Sequence, residues 1–245
     1  MEEAVNLLER GIPIAGGTEL TPLRGSLDAV IDLSRLGLDK IAVSEGVVAI
    51  GAMVTLQSML EKTNLPATLR EVCKLEAGLN LRNMATLGGA IKSSDGRSQL
   101  ITVLLSLDAV VHYEPGSKEV SLDEFLNIRD QPQIIRDVEF EPPEYLLYEQ
   151  VARAPRDFPL ICAALTKFHR LKGDPGFRIS LGGYGHRPTL LGELDKSLGK
   201  DLDFERAAKL ARQAFADASD VWASADYRSE VAGILVKRLL TEAKV

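Results

Sequence analysis

The sequence predicts an α/β or α+β chain: a mixed first part of short strands and helices, then a three-stranded sheet with packed helices. Three observations carry this reading. Before Pro142, strand-like and helix-like apolar patterns alternate. Pro142-Pro143 then breaks the pattern, because two adjacent prolines continue neither a hydrogen-bonded ladder nor a helix. After it come three strand-like segments, 145–152, 159–168 and 177–182, and two helical ones. The expected division is therefore 1–142 and 143–245.

In chain order, Ala4, Leu7 and Leu8 fall at helical spacing, and that first helix stops near Gly11. Ile12 to Ala15 reads as a short buried strand broken by Gly16-Gly17, and Ala29 to Leu33 as a second strand. Ile41–Val43 and Val47–Ile50 flank a Glu45-Gly46 turn. Thr55 suits a helix N-cap, with the helix running through Glu61. Pro66 suits the first turn of a helix reaching about Leu75. Asn80 to Ser98 is polar and glycine-bearing and reads as a loop between helices. Leu100–Leu107 is helical and Ala109–Tyr113 a strand that ends at Pro115-Gly116. Ser121 caps a short helix with Leu122, Phe125 and Leu126, and Ile134–Phe140 is a strand. Gly173-Asp174-Pro175-Gly176 is a turn between the last two strands. The closing helices span about Phe204–Phe215 and a stretch with Tyr227, Val231, Ile234, Leu235 and Leu239 on one face.

Composition narrows the function classes. A chain of 245 residues that is 45% hydrophobic has enough apolar surface for one large or two modest cores. A net charge of -6 without a dense basic stretch argues against nucleic-acid binding. No apolar run approaches the roughly 20 residues needed to span a bilayer. The acidic start, Met1-Glu2-Glu3, has the wrong chemistry for a signal peptide, so a cytoplasmic location is expected. Cys73 and Cys162 alone hold neither a disulfide framework nor an iron–sulfur cluster, and both read as buried small hydrophobes. His112, His169 and His186 lack ligand spacing, so no metal site is expected.

Two glycine pairs stand out. In Ala15-Gly16-Gly17-Thr18-Glu19-Leu20 a sharp turn can aim backbone N–H groups at an anion, and Thr18 adds a hydroxyl. Thr86-Leu87-Gly88-Gly89 repeats the theme. Either pair alone also reads as an ordinary tight turn. No Gly-x-Gly-x-x-Gly follows a strand, and no Gly-x-x-x-x-Gly-Lys-Ser/Thr occurs. Nor is there a Gly-x-Ser-x-Gly elbow, and Asp95 and Asp108 read as a loop carboxylate and a helix-end residue. No catalytic side chain is expected. Such a chain would hold a cofactor that does the chemistry.

The segments around these turns resemble the FAD-binding (medium) subunits of molybdenum hydroxylases. That family includes the FAD subunits of carbon monoxide, xanthine, nicotinate and 4-hydroxybenzoyl-CoA oxidoreductases. Ala15–Leu20 resembles its Ala-Gly-Gly-Thr-Asp-Leu loop, and Val30–Leu33 its Ile-Asp-Leu strand. Ile50–Thr55 is similar to Ile-Gly-Ala-x-Val-Thr, and Arg82–Gly89 to Arg-Asn-x-Ala-Thr-Ile-Gly-Gly. Leu104–Ala109 is similar to Leu-Leu-Ala-Leu-Asp-Ala. Arg178–Gly183 and Ala223–Arg228 resemble Arg-Ile-Ala-Leu-Gly-Gly and Ala-Ser-Ala-Glu-Tyr-Arg of the C-terminal domain.

The resemblance implies an α+β fold: a two-subdomain PCMH-type FAD-binding domain over 1–142, then a carbon monoxide dehydrogenase flavoprotein-like domain over 143–245 with a three-stranded antiparallel sheet and packed helices. It implies cofactor contacts from Ala15, Gly16, Gly17, Thr18, Glu19 and Leu20 to the pyrophosphate, and from Thr86, Leu87, Gly88 and Gly89 to phosphate and flavin. Ser98, Gln99 and Leu100 fall where the family has a small residue, aspartate and leucine near the ribityl or adenosine part. Molybdopterin and 2Fe-2S clusters would sit on a large and a small partner subunit. Electrons would then pass through the flavin to NAD or another acceptor. Two positions depart from the pattern: Ala90 replaces the usual asparagine and Gln99 the usual aspartate. Both remove polar partners for FAD, so the alternative is a bridging subunit with weak or lost FAD binding.

Overall fold

The computed structural model describes residues 1–44, 46–155, 157–168, 176–191 and 204–243. They form two units: Met1–Ser93 with Ala109–Glu141, and Ser94–Asp108 with Pro142–Val245. The 94–108 segment thus packs with the residues beyond Pro142.

In the first unit, β1 (Ile12–Ile14) and β2 (Val30–Asp32) pair in parallel. β3 (Ile41–Ser44), β4 (Val47–Gly51), β5 (Val110–Glu114), β6 (Lys118–Ser121) and β7 (Ile134–Phe140) form an antiparallel sheet ordered β3-β4-β7-β5-β6. Burial alternates along β5, with Val111 and Tyr113 on the buried face. β6 is an addition to the sequence reading. Its Lys118 and Glu119 carry no apolar period, and pairing with β5 makes the strand.

The expected caps hold. Thr55 Oγ1 accepts the Ser58 N–H at 3.1 Å and starts helix Leu56–Glu61. Ser121 Oγ accepts the Glu124 N–H at 3.2 Å and starts helix Leu122–Ile128. Helix Ala67–Glu76 follows Pro66 as expected.

The loop expected over Asn80–Ser98 is instead largely helical, with helices Leu79–Arg82 and Leu87–Ser93. Glycines disfavour a helix locally by about 1 kcal/mol each. Here tertiary hydrogen bonds compensate: the Leu87 N–H donates to Val54 O and the Gly88 N–H to Ala52 O, each at 2.9 Å.

In the second unit, β8 (Tyr145–Val151), β9 (Ile161–Phe168) and β10 (Gly176–Gly182) are antiparallel, as expected. A two-residue edge strand, β11 (Thr189–Leu190), extends the sheet to four. The expected Gly173-Asp174-Pro175 turn lies outside the described residues.

Side chains of β9 alternate between two covered faces. Ile161, Ala163 and Leu165 join a core with Ala207, Ala211, Leu235 and Leu239 from helices Phe204–Ala214 and Ala225–Glu242. Cys162 and Thr166 face helix Gln99–Ser106, meeting Thr102 and Ser106. This double covering explains why Ile161–Thr166 is buried without interruption.

The 225–242 helix corrects the expected face. Leu235 and Leu239 are buried, but Tyr227 and Ile234 are exposed. Arg228, Ala232, Val236 and Leu240 take the buried side instead.

Candidate functional site

The two glycine motifs meet in the first unit. Backbone packing joins them: a Cβ on Gly16 would lie 1.6 Å from Met84 O, so only glycine lets that carbonyl approach. An isolated antiparallel bridge, Thr55 with Thr86, sets the second motif beside Ala52. Between the motifs lies a cleft of about 240 Å³. Ala15, Gly16, Gly17, Thr18, Glu19 and Leu20 line one side, and Thr86, Gly88, Gly89, Lys92 and Ser93 another. Ala52, Gln133, Ile134 and Ile135 complete the wall. Leu87 is fully buried and does not line it.

The motifs differ in what they offer a ligand. Gly17 has φ +70°, a left-handed turn that reorients the chain after β1. Among the described residues, the N–H groups of Ala15 through Leu20 find no acceptor. Backbone N–H groups are obligatory donors, so this run is a cradle for an anion or for water. The second motif has no such run. Its Leu87 and Gly88 N–H groups go to Val54 O and Ala52 O, Gly89 donates to Thr86 Oγ1 at 3.2 Å, and Ala90 donates to Thr86 O.

Its two glycines also differ. A Cβ on Gly88 would stand 2.9 Å from Ala52 Cβ, so Gly88 serves packing. A Cβ on Gly89 would meet only Thr86 Oγ1 within 4 Å, leaving that side of the cleft open.

Two polar side chains in the wall, Lys92 and Gln133, are not among the expected contacts, and reading 80–98 as a loop hides the first. Lys92 lies three residues after Gly89 and four after Gly88, on the same helix face. Its Nζ donates to Gln131 O at 3.0 Å and to Arg129 O. Burial pulls its pKa down to about 8, with Asp130 opposing and Arg129 reinforcing that shift. Gln133 is 3% exposed; its Nε2 donates to Ile128 O, and its buried Oε1 has no partner. An orphaned buried acceptor calls for a ligand donor or a water.

The remaining expected contacts belong to the second unit and do not line this cleft. Ser98 Oγ accepts the Ile101 N–H at 3.1 Å as the cap of helix Gln99–Ser106. Gln99 is buried and donates to Gln150 Oε1 at 2.9 Å; Leu100 is fully buried. Asp95 pairs with Arg97 and Asp108 with Arg178. Cys73 and Cys162 are buried thiols. Strand pairing sets His112 Nδ1 2.5 Å from Asp137 Oδ1, with Glu139 4.0 Å away, a cross-strand cluster that residue spacing along the chain hides. No helix among the described residues is long and apolar enough to cross a membrane.

The residues present fit FAD. The 15–20 cradle suits a pyrophosphate, Gly89 leaves room, Lys92 offers a cation, and Gln133 Oε1 awaits an N–H donor.

Comparison with known proteins agrees with this chemistry. The family described as "FAD binding domain in molybdopterin dehydrogenase" matches residues 1–140, and the "CO dehydrogenase flavoprotein C-terminal domain" matches 147–243. The 6-hydroxypseudooxynicotine dehydrogenase complex subunit alpha of Paenarthrobacter nicotinovorans is 30% identical, over 99% of this chain and 91% of that one. The carbon monoxide dehydrogenase medium chain of Afipia carboxidovorans is 29% identical, over 99% and 93%. A chain of the quinoline 2-oxidoreductase crystal structure from Pseudomonas putida 86 superposes with a TM-score of 0.82 at 25% identity, covering 99% and 93%.

Proposed function

Because the chain belongs to the family of FAD-binding domains in molybdopterin dehydrogenases, we propose that it serves as the FAD-carrying medium subunit of a multi-subunit molybdenum hydroxylase. The observation that carries the reading is the acceptor-free N–H run of Ala15–Leu20, which lines one cleft with Gly89. Ala15 to Leu20 hold the pyrophosphate, and Thr86, Gly88 and Gly89 line the same cleft.

FAD held there supplies a two-electron store between one-electron carriers and a final acceptor. This chain's part is to bind, orient and shield that group. None of its own side chains need act as an acid or base. Molybdopterin on a large subunit would take electrons from a substrate, iron–sulfur clusters on a small subunit would pass them on, and NAD or another acceptor would receive them. A cytoplasmic location and the division into 1–142 and 143–245 are part of the same proposal.

Ala90 and Gln99 favour a rival, a bridging subunit that keeps the fold and has lost FAD. The visible absorption spectrum of the purified chain separates the two. Flavin bands, or uptake of added FAD, support the carrier. A colourless chain that takes up no FAD, yet co-purifies with cluster-bearing and molybdopterin-bearing chains, establishes the bridge. Co-purification also tells either from a stand-alone flavoprotein reductase.

A further inference from the structure

We infer that Lys92 supplies the positive charge that meets the cofactor's pyrophosphate on the Thr86–Ser93 side of the cleft; this rests on FAD being the occupant. The cleft holds one donor-rich wall and one wall whose backbone donors are already spent. On the second wall Leu87, Gly88, Gly89 and Ala90 all give their N–H groups to protein acceptors. A dianion bridging the two walls would therefore lack a counterpart there unless a side chain provides it.

Lys92 is placed to do so. It shares a helix face with both glycines and lines the cleft. An ammonium has three N–H donors, and two are taken by the carbonyls of Arg129 and Gln131. These carbonyls fix the side chain and leave one donor for a ligand. The charged groups around it are Arg129 and Asp130 on the tethering segment and Glu19 across the cleft. A tethered cation costs little further ordering when the anion arrives.

The inference implies a proton linkage. Burial holds the free ammonium's pKa at about 8, and a bound dianion raises it. FAD then binds with constant affinity below that value and takes up a proton on binding above it. The affinity falls as pH rises through about 8.

The test uses the full-length apo-chain titrated with FAD, read by flavin fluorescence from about pH 6.5 to about pH 9.5. The variants are K92M and K92R. Wild type should show a Kd that is flat, then rises by up to about tenfold per pH unit. K92M should bind about ten- to a hundredfold more weakly at neutral pH, the range for a lost charge-assisted hydrogen bond, with a flat profile. K92R should keep most of the affinity and lose the pH dependence, because guanidinium stays charged. At saturating FAD, the flavin midpoint potential should be the same in all three.

If wild type binds FAD and K92M binds it equally well with the same pH profile, the inference is wrong and the functional reading stands. A potential displaced in K92M would put the ammonium at the flavin ring and overturn the pyrophosphate assignment. If wild type takes up no FAD, the functional reading itself fails.

Discussion

The α-carbon of Gly16 lies against the carbonyl of Met84, close enough that a Cβ would stand 1.6 Å from the oxygen. The two glycine motifs, nearly seventy residues apart, are therefore joined by their backbones whether or not a ligand is present. This separates glycines that shape the cleft from a glycine that leaves it open.

Gly16→Ala and Gly89→Ala should accordingly act in opposite ways. The first forces backbone apart and should lower stability by at least the ~1–3 kcal/mol typical of overpacking. The second puts alanine at a helical position with one near neighbour, Thr86 Oγ1 at 3.1 Å. Its melting temperature should hold or rise, while its FAD affinity falls. Thermal unfolding of the apo-proteins and FAD titration together check the pair; equal behaviour would contradict the division.

Thr86 caps the helix that carries Gly88, Gly89 and Lys92, through its Oγ1 contact with the Gly89 N–H. Thr86→Ala should cost about 1 kcal/mol, the usual effect of losing an N-cap. Thr86→Ser should restore most of it. Urea unfolding of the three proteins gives the comparison.

Most strands and the Thr55 and Ser121 caps are readable because their signals are local. The apolar run that makes β5 and the Thr55 and Ser121 hydroxyls need no distant partner. The helix Leu87–Ser93 was not readable, because its first N–H groups are held by Val54 and Ala52, more than thirty residues away. Missing that helix also hid Lys92, whose place in the cleft follows from helical spacing after the glycines. The same limit misplaced the face of the 225–242 helix. Apolar periodicity points to Tyr227 and Ile234, whereas the buried side begins with a charged residue, whose acceptors all lie outside the helix.

The Cys73 thiol should make alkaline unfolding steeper. Burial pushes its pKa up to about 12, with the Glu76 charge adding to the rise. A raised thiol pKa means that the folded state keeps a proton the unfolded chain releases. The contribution is intact below about 9, the ordinary value, and is lost as pH climbs from there towards 12. Cys73→Ala should be less stable at neutral pH because it opens a small cavity. It should also show a shallower loss over that alkaline window. Denaturant midpoints measured across the window test both statements.

Arg228 is the charged residue in question. It is fully buried, and all three nitrogens of its guanidinium donate to acceptors. Nε donates to Leu160 O at 3.0 Å, and Nη1 to Ala218 O at 2.7 Å and Ala223 O at 2.9 Å. Nη2 donates to both Asp220 carboxylate oxygens, at 2.8 and 2.9 Å. The Tyr184 ring centroid lies 5.1 Å from the guanidinium carbon. One side chain thus ties β9's approach, the turn after the 204–214 helix and the start of the 225–242 helix.

Removing only Asp220 strands a buried cation, so Asp220→Asn should cost about 3–5 kcal/mol. Arg228→Lys should also destabilise, since three donors on a point charge cannot serve five positions. Burial tends to raise the Asp220 pKa, but hydrogen bonds from Arg228 and from the Trp222 and Ala223 N–H groups outweigh it, and the net shift is downward. Its stabilisation is therefore present above the ordinary carboxylate range and lost as pH falls through the depressed value. Acid unfolding of wild type should contain this component and that of Asp220→Asn should not. A double-mutant cycle with Arg228→Met measures the coupling, and a coupling near zero would show that the backbone carbonyls alone hold the guanidinium.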